Sequence, residues 1–141
     1  MITKKMIKTL SLYFIATILA ASCTFTTTKI KNPTFNRPID SLQIDLNKIV
    51  TCENFNINGK EISTNGKVSS ELEIDITNGQ NIPDNGDEMD RLGKQVAVII
   101  KAALQDKNQF DTYKVLFVTK KQNGNLTERT WKGKVFKVGE L

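Results

Sequence analysis

The chain predicts an α+β domain, an antiparallel sheet of about four strands in the order ββαββ with one long helix packed on one face. Three observations carry this. Asn65-Gly66 and Asn123-Gly124 stand between apolar runs as hairpin turns. Residues 87–106 repeat apolar side chains at helical spacing. The segment around 68–77 alternates apolar and polar residues at strand spacing.

On the first hairpin, Val68, Ser70, Leu72, Ile74 and Ile76 share one strand face, while Ser69, Glu71, Glu73, Asp75 and Thr77 share the other. One face packs and one is wet. The turn pairs this strand with another around Phe55–Ser63. In the helix, Met89, Leu92, Val96, Ile99 and Ala103 mark the expected buried stripe, with Ile99 at its middle. Asp84 or Asn85 caps its start, and Asp87, Glu88 and Asp90 suit the positive end of its dipole. Gly93 near the stripe allows a close approach to the sheet. Tyr113–Thr119 is apolar on both faces, as a strand inside a sheet requires, and Leu126–Val138 returns beside it. Asp40–Val50 is ambiguous: Leu42, Leu46, Ile49 and Val50 have helical spacing, yet Leu42, Ile44 and Leu46 alternate. A short helix with an Asp40–Gln43 capping pair is the expectation.

The amino-terminal part has a different character. MITKKMIK is basic, Leu10–Ala21 is apolar, and the small residue Ser22 precedes Cys23. An apolar stretch of this length is short of the ~20 residues that span a bilayer. Basic start, short apolar core and small residues at its end form the layout of a cleaved secretory signal. Ala20-Ala21-Ser22-Cys23 resembles the lipobox of bacterial lipoproteins over residues 1–23, with Ala20 in place of the usual leucine. The resemblance implies cleavage after residue 22, a diacylglyceryl group on the Cys23 thiol, and often acylation of the new amine. With Thr24 in place of aspartate after the cysteine, it implies the outer membrane, and the periplasmic face is the expected side. Acyl chains contribute about 0.8 kcal/mol per buried methylene, so two or three anchor a protein firmly. Residues 23–39 are then the lipidated cysteine and a flexible tether, threonine-rich and broken by Pro33 and Pro38, with a reach of ~50 Å when pulled straight. Residues 40–141 form the single globular domain.

Composition narrows the chemistry. The leader holds Lys4, Lys5 and Lys8 and no acid, so the net charge of +5 falls to 17 basic against 15 acidic groups, or +2, after residue 22. That balance gives no reason to expect nucleic acid as a partner. With no histidine, Ser-His-Asp and Cys-His catalysis and imidazole-bound zinc are ruled out within the chain. No metal or other cofactor is expected. Cys52 is left over once Cys23 is acylated, and Glu53 beside it opposes a reactive thiolate, so a structural role is expected. Glu71 and Glu73, ~7 Å apart on one strand face, have a spacing seen in glycosidases but no cleft to raise a pKa. NIPDNGDEMD at 81–90 crowds four acids around Gly86 without the spacing of a twelve-residue calcium loop.

The charges are laid out in blocks. Residues 71–90 hold seven acids and no base, whereas residues 112–138 hold seven bases and one acid, Glu128. Either the blocks screen each other, or Lys120, Lys121, Arg129, Lys132 and Lys134, with Trp131 among them, form a docking face for anionic headgroups or an acidic protein patch. The expected function is a lipid-anchored, non-catalytic interaction module or accessory subunit of the cell envelope, attached to the membrane through Cys23 and docking on an envelope protein. The alternatives are a small envelope hydrolase using acidic residues and a secreted inhibitor-like protein.

Overall fold

A computed structural model describes residues 24–141. The expected leader and the expected acylation site at Cys23 lie outside the described residues. The elements run β1 (Thr26–Ile30), α1 (Ile39–Asn47), β2 (Asn54–Thr64), β3 (Lys67–Thr77), α2 (Gly86–Ala103), β4 (Thr112–Asn123) and β5 (Leu126–Lys137), closed by a 3-10 turn at Val138–Glu140. The five strands lie in one sheet in the order β1-β2-β3-β4-β5.

The α+β class and the ββαββ run hold, with three corrections. The sheet is mixed, because β3 and β4 are parallel neighbours while the other pairs are antiparallel. The reason is the route between them. After β3 the chain returns along the sheet as α2, so β4 enters in the same direction as β3, as a helical crossover requires. A fifth strand, β1, lies at the edge within the stretch expected to be tether. Its residues are all exposed, so it has no buried face to leave a periodic trace, although its threonines suit extended backbone. The rest of that stretch is also tied down: Phe35 bridges to Leu104, and Arg37 pairs with Asp45 at 2.5 Å. Finally, the described residues hold a second, short helix beside the long one. The ambiguous segment is helical as α1, but it starts at Ile39 after Pro38 with no side-chain cap, so the Asp40–Gln43 pair does not form.

Local chemistry explains the remaining boundaries. Asn65 and Gly66 both have positive φ, 51° and 81°, the conformation that a two-residue hairpin needs and that these two residue types tolerate. Asn85 caps α2 by accepting from the Asp87 N–H at 2.9 Å. β4 lies inside the sheet with Val115, Leu116, Phe117 and Val118 all buried, as its two-sided apolar pattern requires.

Both helices pack on one sheet face. Leu42 and Leu46 of α1 join Val96, Ala97, Ile100 and Ala103 of α2 over Leu72, Ile74, Ile76, Tyr113, Val115, Phe117 and Phe136. The buried stripe of α2 is rotated from expectation. Gly93, Val96, Ala97, Ile100 and Ala103 are buried, while Met89, Leu92 and Ile99 flank them half-buried. The contact line combines the small residues Gly93, Ala97 and Ala103 with Val96 and Ile100. A Cβ on Gly93 would stand 3.4 Å from the Phe136 ring.

Candidate functional site

Among the described residues the opposite sheet face carries no helix, and its residues follow from strand alternation and register. Asn54, Asn56, Asn58 and Lys60 of β2 stand beside Thr77, Asp75, Glu73 and Glu71 of β3. Lys114, Leu116 and Val118 of β4 stand beside Glu73, Asp75 and Thr77. Arg129, Trp131 and Gly133 of β5 stand beside Lys120, Val118 and Leu116. The face is therefore a lattice of charges around a few apolar side chains, with Trp131, the chain's single tryptophan, 65% exposed toward one edge.

The charges are paired. Lys60 Nζ lies 2.9 Å from Glu71 Oε1 and 3.4 Å from Glu73 Oε2, and Lys114 Nζ lies 2.8 Å from the same Glu73 oxygen. The Lys114 ammonium, first, and then Lys60 hold the Glu73 carboxyl below its usual range against the opposing effect of burial, and Glu71 raises the Lys60 pKa. Of the two glutamates predicted to line a wet face, Glu73 is thus clamped between Lys60 and Lys114 of the neighbouring strands, and Glu71 pairs with Lys60. A carboxylate held ionised in this way is a poor proton donor, the opposite of what a glycosidase acid needs.

Next along β3, Asp75 is only 7% exposed. Its Oδ2 accepts from Arg129 Nη2 at 3.2 Å, and its Oδ1 has no partner. Asp75 and Arg129 border a shallow depression of about 260 Å³ that Glu53, Asn54, Asn56, Thr77 and Lys120 also line. A larger groove of about 420 Å³ opens at the carboxyl ends of the parallel pair β3 and β4. Ile76, Ile82, Met89 and Phe117 line it, with Thr119 and Lys132 among its polar residues. Crevices at this end of parallel strands are where open α/β sheets bind ligands.

The six residues that the alternative reading places on one anionic-partner face do not share a face. Lys120, Arg129 and Trp131 are on the open side, and Lys121, Lys132 and Lys134 are on the helix side with Phe136. Lys134 pairs with Asp90 of α2, Arg129 with Asp75 and Lys114 with Glu73. Each pair joins the basic block of 112–138 to the acidic block of 71–90, so mutual neutralisation accounts for three of its seven bases. Within the acid-rich segment 81–90, other residues serve α2 itself: Asn85 caps it and Glu88 lies near Arg91 one turn on. No group of three or more metal-ligating side chains occurs among the described residues. Cys52 is a free, half-buried thiol whose pKa is pushed up by burial and by Glu53, in keeping with a structural role.

Sequence reasoning did not single out Lys60, Lys114 or Asp75. Their alternation on β2, β4 and β3 was visible, but their meeting depends on strand order. One expectation tests the clamp. A carboxylate whose pKa is depressed by folding adds stability above its unfolded pKa of ~4.3, and that stability is lost as pH falls through the folded value. Lys114→Met is therefore expected to change stability at neutral pH by no more than about 1 kcal/mol. It should flatten the fall in melting temperature between neutral and acidic pH, and melting curves across that range read the difference.

No protein-family model, no curated protein and no solved structure matches the chain.

Proposed function

We propose that the chain is a lipid-anchored, non-catalytic binding module of the bacterial cell envelope, held at the outer membrane through Cys23 with its domain in the periplasm. The anchor reading rests on the signal and lipobox-like residues 1–23. The binding reading rests on the helix-free sheet face. It is broad and open, it displays Trp131 two residues from Arg129 on β5 at the rim of the groove of about 420 Å³, and its clamped Glu73 is poorly suited to acid catalysis. Exposed tryptophan and arginine beside partly desolvated polar groups are the usual anchors of a protein interface.

Two measurements test this. Intact mass of the membrane-extracted protein should give a chain beginning at Cys23 plus acyl groups, and Cys23→Ser should leave the membrane fraction. An unmodified amino terminus at another residue would end the anchor reading. A photocrosslinking residue at Trp131, on the open face, should capture a discrete partner in intact cells, whereas one at the exposed Val98 of α2 should not. Equal yields at both positions would end the assignment of the binding face.

A further inference from the structure

We infer that the turn end of the β1–β2–β3 ribbon is a membrane-docking surface, seated in the lipid headgroup layer with the basic β4–β5 hairpin pointing away from it. The inference rests on the proposed acylation of Cys23. Only Thr24 and Phe25 separate Cys23 from β1, so an acylated Cys23 holds Thr26 within about 10 Å of the lipid even when the link is fully extended.

The sheet then decides which surface meets the bilayer. Thr26 lies opposite Thr64, and Lys67 pairs with Thr64 across the Asn65-Gly66 turn, so this turn is beside the anchor. The Phe25 N–H donates to Asn65 Oδ1 at 3.1 Å, and the Asn65 N–H donates to the Phe25 carbonyl at 3.0 Å. The last residue before the strand is thereby fixed to the turn. The turn also projects: the β3–β4 pairing begins only at Glu71, so Lys67–Ser70 extend past the start of β4.

The composition of this tip suits a headgroup layer. Phe25 is 73% exposed and Val68 63% exposed, and Val68 lies on the side that is apolar farther along β3 but has no helix over it here. Lys67 is exposed beside them and has no ion pair among the described residues. Residues 24–28 and 62–69 contain no acid. Amphipathic surfaces with an aromatic, an aliphatic and a lysine bind bilayers by burying the first two and placing the cation at the phosphates.

β4 runs parallel to β3, away from the turn, so the hairpin lies at the other end. Trp131 pairs with Val118, which pairs with Thr77, ten residues beyond Lys67. At ~3.3 Å per residue Trp131 is ~33 Å from the tip along the strands, and Lys120, Lys121 and Arg129 are farther still. The headgroups that the alternative reading gives the basic hairpin are then out of its reach.

The test uses the full-length acylated protein in vesicles of phosphatidylethanolamine with a minority of phosphatidylglycerol, some of the lipid carrying a shallow nitroxide quencher. Trp131 reports the distal end without modification, and Val68→Trp combined with Trp131→Phe reports the tip. The expected result is strong quenching of the tip reporter and none of Trp131, at matched melting temperatures. Quenching of Trp131 as strong as that of the tip, or an unquenched tip on a chain shown by mass to carry acyl groups, would overturn the docking surface alone. A chain without acyl groups would overturn the anchor reading and the docking surface with it.

Discussion

Ile100→Ala is expected to lower the stability of the domain by about 2–5 kcal/mol. Ile100 is fully buried on α2, between the helix and the sheet. Truncating it removes buried methyl groups and leaves a void that rigid neighbours on both sides fill poorly. Ile99 is the informative control. The hydropathy pattern makes Ile99 the middle of the stripe, but it is half-buried at the flank, so Ile99→Ala should cost nearer about 1 kcal/mol. Urea unfolding of both variants distinguishes the two helical phases. Equal losses would mean that α2 is not rotated as described.

The second large effect lies where β2 crosses under Phe110. Phe110 is fully buried, its ring covers Gly59, and the Lys31 ammonium sits 5.3 Å from the ring centroid. Phe110→Ala should cost about 3–5 kcal/mol through the lost burial and the cavity it opens. Gly59→Ala should also destabilise, for the opposite reason. Its Cβ would stand 2.6 Å from the Phe110 ring and 2.0 Å from the Lys31 carbonyl oxygen, so both ring and backbone must shift. The Lys31 N–H donates to the Gly59 carbonyl at 2.9 Å, which ties that backbone in place. Combining the two substitutions should therefore relieve the ring contact without rescuing Gly59→Ala. Full rescue in the double variant would show that the backbone contact with Lys31 is not limiting.

Local patterns were read well, and contacts between distant segments were not. The β2–β3 and β4–β5 hairpins and the cap of α2 depend on neighbouring residues, and Asn65-Gly66 or Asn85 announces them directly. The clamp on Glu73 joins residues forty-one apart, through the parallel pairing of β3 with β4. No local pattern encodes that pairing. β1 escaped notice because both of its faces are exposed, so its residues carry no alternation to read. The phase of α2 differs because hydropathy rewards large side chains, whereas the buried line also includes Gly93, Ala97 and Ala103. The basic block was legible as composition. Its division between the two faces followed from alternation along β5, but its pairing with Glu73, Asp75 and Asp90 again required the fold.

The place of β1 also determines how the domain bears force. A chain acylated at Cys23 and gripped at the β4–β5 hairpin is pulled from opposite ends of the same sheet, along the strands. β1 is drawn lengthwise against β2, so the bonds of the register from Thr26–Thr64 to Ile30–Lys60 are strained together. A strand entering from the side would peel instead, one bond at a time. An edge strand of five exposed residues adds little to the core, yet in this direction it can resist as a unit, and motion of the membrane against whatever the domain holds would be carried through its backbone rather than through a slack linker.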